Sequence, residues 1–355
     1  MPEGQDTAER LAHTLLGLIN VPSESLHEDA IASHVLELLG GRAVDAGDNC
    51  VLAGVTERSA DRPLVLLAGH LDTVPEQGNM PASRDGDTIS GLGASDMKAA
   101  LAVMIDLILH PAPDPVVDVG AVFFPREELP FGDTALTPLL QRRPELLTAD
   151  LAIVMEPTAL EVQLGCLGNL NATWTFTGTA GHSARPWLAD NAIAKAAAAV
   201  ADLAGDLPVE QQFGGLTFRE VTSAVMIEGG VARNVIPDSC VVTLNHRYGP
   251  ATTASEAEAR LHARCEPAGT LKIDGNAPSG AVPATGPLIE RLTELSGASP
   301  TAKQAWTPVA EFSLAGVDAV NFGPGDPKQA HRRDESASIA AMVTARETLS
   351  ALLCG

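Results

Sequence analysis

Apolar positions recur along the first third of the chain with two different periods, and their alternation sets the fold class. AERLAHTLLGLI (residues 8–19) and EDAIASHVLELL (28–39) carry apolar residues at helical spacing, whereas CVLAGV (50–55) and PLVLLAG (63–69) are short, unbroken β-prone runs. MKAALAVMIDLIL (97–109) predicts a third helix, and VDVGAVFF (117–124) and ADLAIVM (149–155) predict two more buried strands. Strands without a polar face need cover on both sides. The pattern therefore predicts an α/β fold with a mixed sheet flanked by helices.

The texture changes near residue 167. NLNATWTFTGTA, the Ala-rich NAIAKAAAAVADLAG, FREVTSAVMIEGG, CVVTLNHRY and SEAEARLHARC read as strand, helix, strand, strand, helix, which predicts a smaller α+β layer. The Gly/Pro-rich DGNAPSGAVPATGP (274–287) reads as a return linker. A helix (LIERLTEL), a strand (DAVNFG) and a last long helix (SASIAAMVTARETLSALL) follow. The expected organisation is discontinuous: residues 1–166 and 283–355 form one domain and residues 167–282 an inserted one. A length of 355 residues leaves chain enough for two cores.

Charge narrows the partners. With 23 basic against 45 acidic residues the formal charge is −22, which argues against a nucleic-acid or anionic-membrane surface. No run approaches the roughly 20 apolar residues of a membrane span. MPEGQDTAER lacks a basic stretch followed by an apolar one, so a cytoplasmic protein is expected. Five dispersed cysteines without a C-x-x-C pair fit a reducing compartment.

Ligands of α/β proteins bind at the carboxyl ends of strands, and the candidate chemistry falls there. In AGHLD, His70 and Asp72 leave a strand on the same side. Asp96 follows a glycine turn in SGLGASDMK. Glu127 and Glu128 follow VFF, Glu156 follows AIVM, and His331 closes a Gly/Pro-rich loop after DAVNFG. Each is weak alone: an Asp before a helix is commonly an N-cap, a Glu pair a solvated turn, and a strand-end His a hydrogen-bonded core residue. Five such groups at successive strand ends are hard to explain as separate accidents. Imidazole nitrogen with carboxylate oxygen suits zinc, with cobalt or manganese also accepted. Two histidines and three carboxylates exceed one tetrahedral ion, so two divalent ions bridged by one carboxylate are expected.

G-H-x-D-x-V-P, G-x-x-D-M-K, E-E, M-E-P and a late A-H-x-x-D-E together resemble the dinuclear zinc amidohydrolase and peptidase family of aminoacylases, carboxypeptidases and desuccinylases. GHLDTVP, HSARPWLADNAI, GGVARNVIPD and VNFGPGDPKQAHRRDE look most like its actinobacterial desuccinylase branch. The resemblance implies a zinc-exopeptidase-like catalytic domain with an inserted lid and dimerisation domain. It implies that His70 and Glu156 bind one metal ion and Glu128 and His331 the other, that Asp96 bridges them, and that Asp72 takes the second ring N–H of His70. It further implies that Glu127 is the general base and His182 an oxyanion donor, often across a homodimer. Asn234, Arg247 and Thr307 are the implied substrate contacts. The implied reaction is hydrolysis of a small N-acyl amino acid, with N-succinyl-LL-2,6-diaminopimelate expected and another deacylase, a carboxypeptidase, a dipeptidase or a noncatalytic relative as alternatives. Four positions depart from the pattern: Pro308 and Glu311 replace an Asp and an Arg, Cys166 another Arg, and Arg126 an acidic residue. Glu311 is expected to reverse charge near the substrate carboxylate.

Overall fold

The apolar runs of the first third become the middle of an eight-stranded mixed sheet. The computed structural model describes residues 3–354, in two units: Met1–Gly165, Ala281–Ala302 and Thr307–Gly355 form the first, and Cys166–Gly280 with Lys303–Trp306 the second. The sheet of the first unit runs Ala43–Asp45, Val51–Gly54, Asp118–Phe124, Leu64–His70, Leu151–Val154, Ala319–Asn321, Gln163–Leu164, Thr301–Ala302. Its four central strands, from Asp118–Phe124 to Ala319–Asn321, are mutually parallel, so their carboxyl ends open on one edge.

Alternate residues of these strands enter two cores. Val65 and Leu67 pack with the helices Glu3–Ile19, Asp29–Leu39, Ala99–Leu109 and Ile339–Cys354, while Leu64, Leu66 and Ala68 pack with Leu136–Arg142 and Val309–Leu314. All five are 0–1% exposed, and each buried leucine contributes about 2 kcal/mol before entropic costs. Gly69 lets strand and helix meet: a Cβ there would lie 2.7 Å from Leu101 and 2.8 Å from Met97. Asp106, 4% exposed, ties the first, third and last of these helices on the first face together through Arg10 at 2.8 Å and Arg346 at 3.1 Å.

The second unit is an antiparallel five-stranded sheet in the order Val209–Phe213, Leu216–Gly229, Ser239–Tyr248, Gly168–Thr177, Thr270–Ala277. Leu170, Ala172, Trp174 and Phe176 alternate inward against the helices Ala192–Leu203 and Ala254–Cys265. Asn191 caps the first helix, and Thr253 with Glu256 forms a capping box on the second. The strand Val209–Phe213 covers only the first half of its neighbour. Beyond Glu220 that strand is an edge among the described residues, with Val225, Met226 and Ile227 each more than half exposed.

Three sequence expectations change. The stretch 274–287 is not all linker, because Asp274–Ala277 complete a strand beside Gly168–Thr177. The last helix starts at Ile339, since Ser336–Ser338 pair with Thr88–Ser90. The third helix starts at Ala99; Ala94–Lys98 form a wider turn in which Asp96 and Met97 leave helical dihedrals. No described helix is long and apolar enough to cross a membrane.

Candidate functional site

Three strand ends, a turn and a long loop bring the acidic and imidazole groups of the first unit together. His70 ends Leu64–His70, Glu127 and Glu128 follow Asp118–Phe124, Glu156 follows Leu151–Val154, Asp96 lies in the turn Ala94–Lys98, and His331 lies in the loop after Ala319–Asn321. Ligand atoms of His70, Asp96 and Glu156 lie within 4.8 Å of one another, as do those of Asp96, Glu128 and His331. Asp96 belongs to both sets. Its Oδ1 is 3.1 Å from His70 Nε2 and its Oδ2 is 3.6 Å from His331 Nε2. A carboxylate with one oxygen toward each imidazole is placed to join two ions.

The spacing tests that fit. Two ligands on a tetrahedral ion at about 2.0 Å are separated by about 3.3 Å. The imidazole–carboxylate separations are 3.1 and 3.9 Å around His70 and 2.9 and 3.6 Å around His331. These bracket that value, and the donors are all nitrogen and oxygen, so both sets suit zinc, cobalt or manganese.

Electrostatics agree. Burial would lower the His70 pKa, but hydrogen bonds to Asp72 and Asp96 and the charges of Glu127 and Asp96 outweigh it and hold the pKa well above its ordinary value. The hydrogen bond to Glu128 raises His331 to about 9 against opposing burial. Burial, followed by the charge of Glu156, pushes Glu127 well above the carboxylate range, with Glu128 and Asp96 adding to it and His70 opposing. So many carboxylates in one place favour protons or metal cations between them.

Asp72 stands beside His70 and has further partners. His70 Nδ1 lies 3.0 Å from the Asp72 main-chain carbonyl and 3.6 Å from its carboxylate, so the ring N–H donates to the carbonyl. The carboxylate accepts from Glu127 N at 3.0 Å, Glu128 N at 3.1 Å and Ser25 Oγ at 2.8 Å. It therefore fixes the turn bearing the two glutamates. The residue before them, Arg126, has a left-handed backbone (φ 65°) and is held by Asp48 at 2.6 and 2.9 Å and by the Asp133 carbonyl.

Glu311 lies at a helix start. It is 2% exposed and accepts from Thr137 N at 2.8 Å, Thr137 Oγ1 at 2.7 Å and Thr134 Oγ1 at 3.4 Å, at the start of Leu136–Arg142. Its carboxylate meets the start of a helix, and the residue also lines a cavity with Phe131, Thr137, Leu140 and Leu314. Thr307 is 1% exposed. Lys98 and Glu335 are both 1% exposed and sequence reasoning assigned neither. The only signal was their place inside the quoted motifs.

In the second unit His182 is exposed on Gly181–His182, paired with Val235–Ile236. Its Nδ1 accepts from Ala184 N at 3.1 Å, so in the neutral ring Nε2 carries the hydrogen. The Asn234 carbonyl accepts from Ser183 N at 3.0 Å, which brings those two stretches together. Arg247 is on another strand pair, opposite Asn169, and its Nε donates to Asn245 Oδ1 at 2.8 Å. Asn245 Nδ2 in turn donates to Asn169 and Asn171. Cys166 is buried, its Sγ accepting from Gly280 N.

The chain is similar to known proteins in sequence and fold. A sequence model of peptidase family M20/M25/M40 matches residues 66–354. A Mycobacterium tuberculosis protein, provisionally named succinyl-diaminopimelate desuccinylase DapE, is 40% identical over 95% of this chain and 96% of its own. The succinyl-diaminopimelate desuccinylase of Corynebacterium glutamicum is 35% identical over 91% of this chain and 90% of its own. Among solved structures, the M20 family metallo-carboxypeptidase Sso-CP2 of Sulfolobus solfataricus superposes with a TM-score of 0.75 at 18% identity, covering 97% of this chain and 98% of that one.

Proposed function

We propose, from the premise that this chain belongs to peptidase family M20/M25/M40, that it hydrolyses N-succinyl-LL-2,6-diaminopimelate to succinate and LL-2,6-diaminopimelate. That it is a metallo-hydrolase of amide bonds follows from the family, whose members depend on two metal ions. The finer substrate rests on one observation: near-complete coverage at 35–40% identity with two actinobacterial proteins bearing the desuccinylase name. The hydrogen bonds that Glu311 accepts at a helix start give its charge a local partner, which supports this reading over a different acyl amino acid.

In this reading His70, Asp96 and Glu156 hold one ion, Asp96, Glu128 and His331 the other, and zinc is the ion. Bound ions supply Lewis acidity, which makes water easier to deprotonate and polarises the amide carbonyl. Glu127, with its raised proton affinity, takes the proton of the attacking water and returns it to the departing amine nitrogen. The Nε2–H of His182 donates to the oxyanion. Arg247 takes a substrate carboxylate through the face of its guanidinium left open by Asn245, and Asn234 and Thr307 complete the contacts.

The second unit serves as lid and dimerisation domain of a cytoplasmic homodimer. Support comes from the open edge beyond Glu220, since an unpaired strand with exposed Val225, Met226 and Ile227 is a template for a second copy. Turnover of the zinc- or cobalt-loaded protein on succinyl-diaminopimelate, beside acetylornithine, acyl amino acids and dipeptides, tests the substrate. Preference for any of the others would reject it. Mixing inactive Glu127→Gln and His182→Ala chains tests the dimer: action across chains restores roughly a quarter of wild-type activity, and no recovery rejects it.

A further inference from the structure

Glu335 is a buried carboxylate to which the proposed chemistry gives no task. It lies 1% exposed, four residues after His331, and makes its hydrogen bonds to the loop that carries Asp96. Its Oε1 accepts from Ser95 N at 2.8 Å and Asp96 N at 2.9 Å, and its Oε2 from Gly93 N at 2.9 Å. Its main-chain carbonyl accepts from Gly91 N at 3.0 Å. Thus one residue engages four backbone donors within six positions of chain.

Other contacts sew the same two segments together. Ser95 Oγ donates to the Asp326 carbonyl at 2.9 Å, Asn79 Nδ2 to the Arg332 carbonyl at 3.4 Å, and Ser336–Ser338 pair with Thr88–Ser90. The segments approach so closely that a Cβ on Gly325 would lie 2.2 Å from the Ser95 carbonyl oxygen. These bonds align the backbone, and Glu335 binds the N–H of the joint ligand itself. An ionised carboxylate suits three donors because it offers acceptor sites only, whereas an amide must turn an NH₂ toward one of them.

We propose that Glu335 is a positioning residue of the two-ion centre: by gathering the N–H groups of Gly93, Ser95 and Asp96, it fixes where the Asp96 carboxylate stands between the two ligand sets. The inference rests on the reading that Asp96 bridges two ions. Groups that orient a ligand in this way contribute roughly 10- to 100-fold in metal affinity. A helix cap with no bearing on the ions would stabilise the ion-free and loaded protein alike, and this difference separates the two roles.

The test uses the full chain, stripped with a chelator, then titrated with zinc(II) against a chelating dye and with cobalt(II) by visible absorption. Glu335→Gln should weaken at least one ion by roughly 10- to 100-fold, alter the cobalt spectrum and shrink the rise in Tm that zinc confers. Asp334→Asn, an exposed neighbour paired with Arg332, serves as control and should leave all three unchanged. Wild-type affinity and spectrum in Glu335→Gln would overturn the proposal, even if the ion-free Tm fell. Should that variant not fold, Glu335→Asp keeps the charge but cannot reach all three donors, and wild-type affinity there overturns the proposal equally. A wild-type protein that takes up no ion would sink the two-ion reading as well.

Discussion

Replacing Glu311 by glutamine should stabilise the protein above neutral pH, by an amount that grows with pH. Burial pushes the Glu311 carboxyl up to about 7 from 4.5, despite hydrogen bonds from Thr137 and Thr134 that pull it down. A folded state that holds the proton more tightly than the unfolded one gains full stability below pH 4.5. It loses that advantage as pH rises through 7. The gap corresponds to about 3 kcal/mol once the group is ionised in both states, with about 1 kcal/mol already lost at pH 5. Glutamine carries no charge, its oxygen can accept from Thr137, and its NH₂ can donate to Thr134. Unfolding free energies from urea titrations should therefore differ by about 1 kcal/mol at pH 5 and by about 3 kcal/mol in favour of Glu311→Gln at pH 8. A difference that does not change with pH would refute the reasoning. Turnover should stay within about twofold, because the carboxyl faces the start of Leu136–Arg142. Glu311→Arg, which restores the residue of the desuccinylase pattern, should instead cost about 3–5 kcal/mol by burying a cation against N–H donors.

Glu127→Gln should reduce turnover by about 10²- to 10⁴-fold with two ions still present by elemental analysis; near-normal turnover would remove it as the base. Chelation should lower Tm by leaving Asp96, Glu127, Glu128 and Glu156 to repel one another, and zinc at a thousandfold excess over Kd should restore about 4 kcal/mol, read as a concentration-dependent Tm. Indifference of Tm to both treatments would count against the centre. Asp72→Asn should cost about 1–3 kcal/mol in denaturation experiments and lower kcat more than it raises KM, since an NH₂ would meet the N–H groups of Glu127 and Glu128. A pure KM effect would contradict that placement.

The strands and three of the five candidate ligand groups were legible for one reason: each of the three follows an apolar run whose end could be read directly. His70, Glu128 and Glu156 emerge from Leu64–His70, Asp118–Phe124 and Leu151–Val154, three neighbouring parallel strands of the mixed sheet. What escaped depends on contacts between distant stretches. Nothing local says that Glu311 meets Thr137, 174 residues away, or that Glu335 meets Gly93 across 242. Gly275 and Pro278 made 274–287 look like linker, yet cross-strand pairing with Gly168–Thr177 outweighs the poor β-propensity of Asp274 and Gly275. Periodicity likewise ran the last helix through Ser336–Ser338, where pairing with Thr88–Ser90 prevails. The Asp72 carboxylate stands 3.6 Å from the His70 ring, and what the sequence did not show is that it also accepts from the adjacent N–H groups of Glu127 and Glu128.

The strand Ala319–Asn321 completes the parallel set, and the loop after it delivers the second imidazole. During translation, a nascent polypeptide ending before that strand already contains His70, Asp96, Glu128 and Glu156, but neither His331 nor Glu335. Ion capture by both proposed ligand sets would therefore wait until the segment through Glu335 has been made, and a fragment stalled before it, however acidic, has half a clasp.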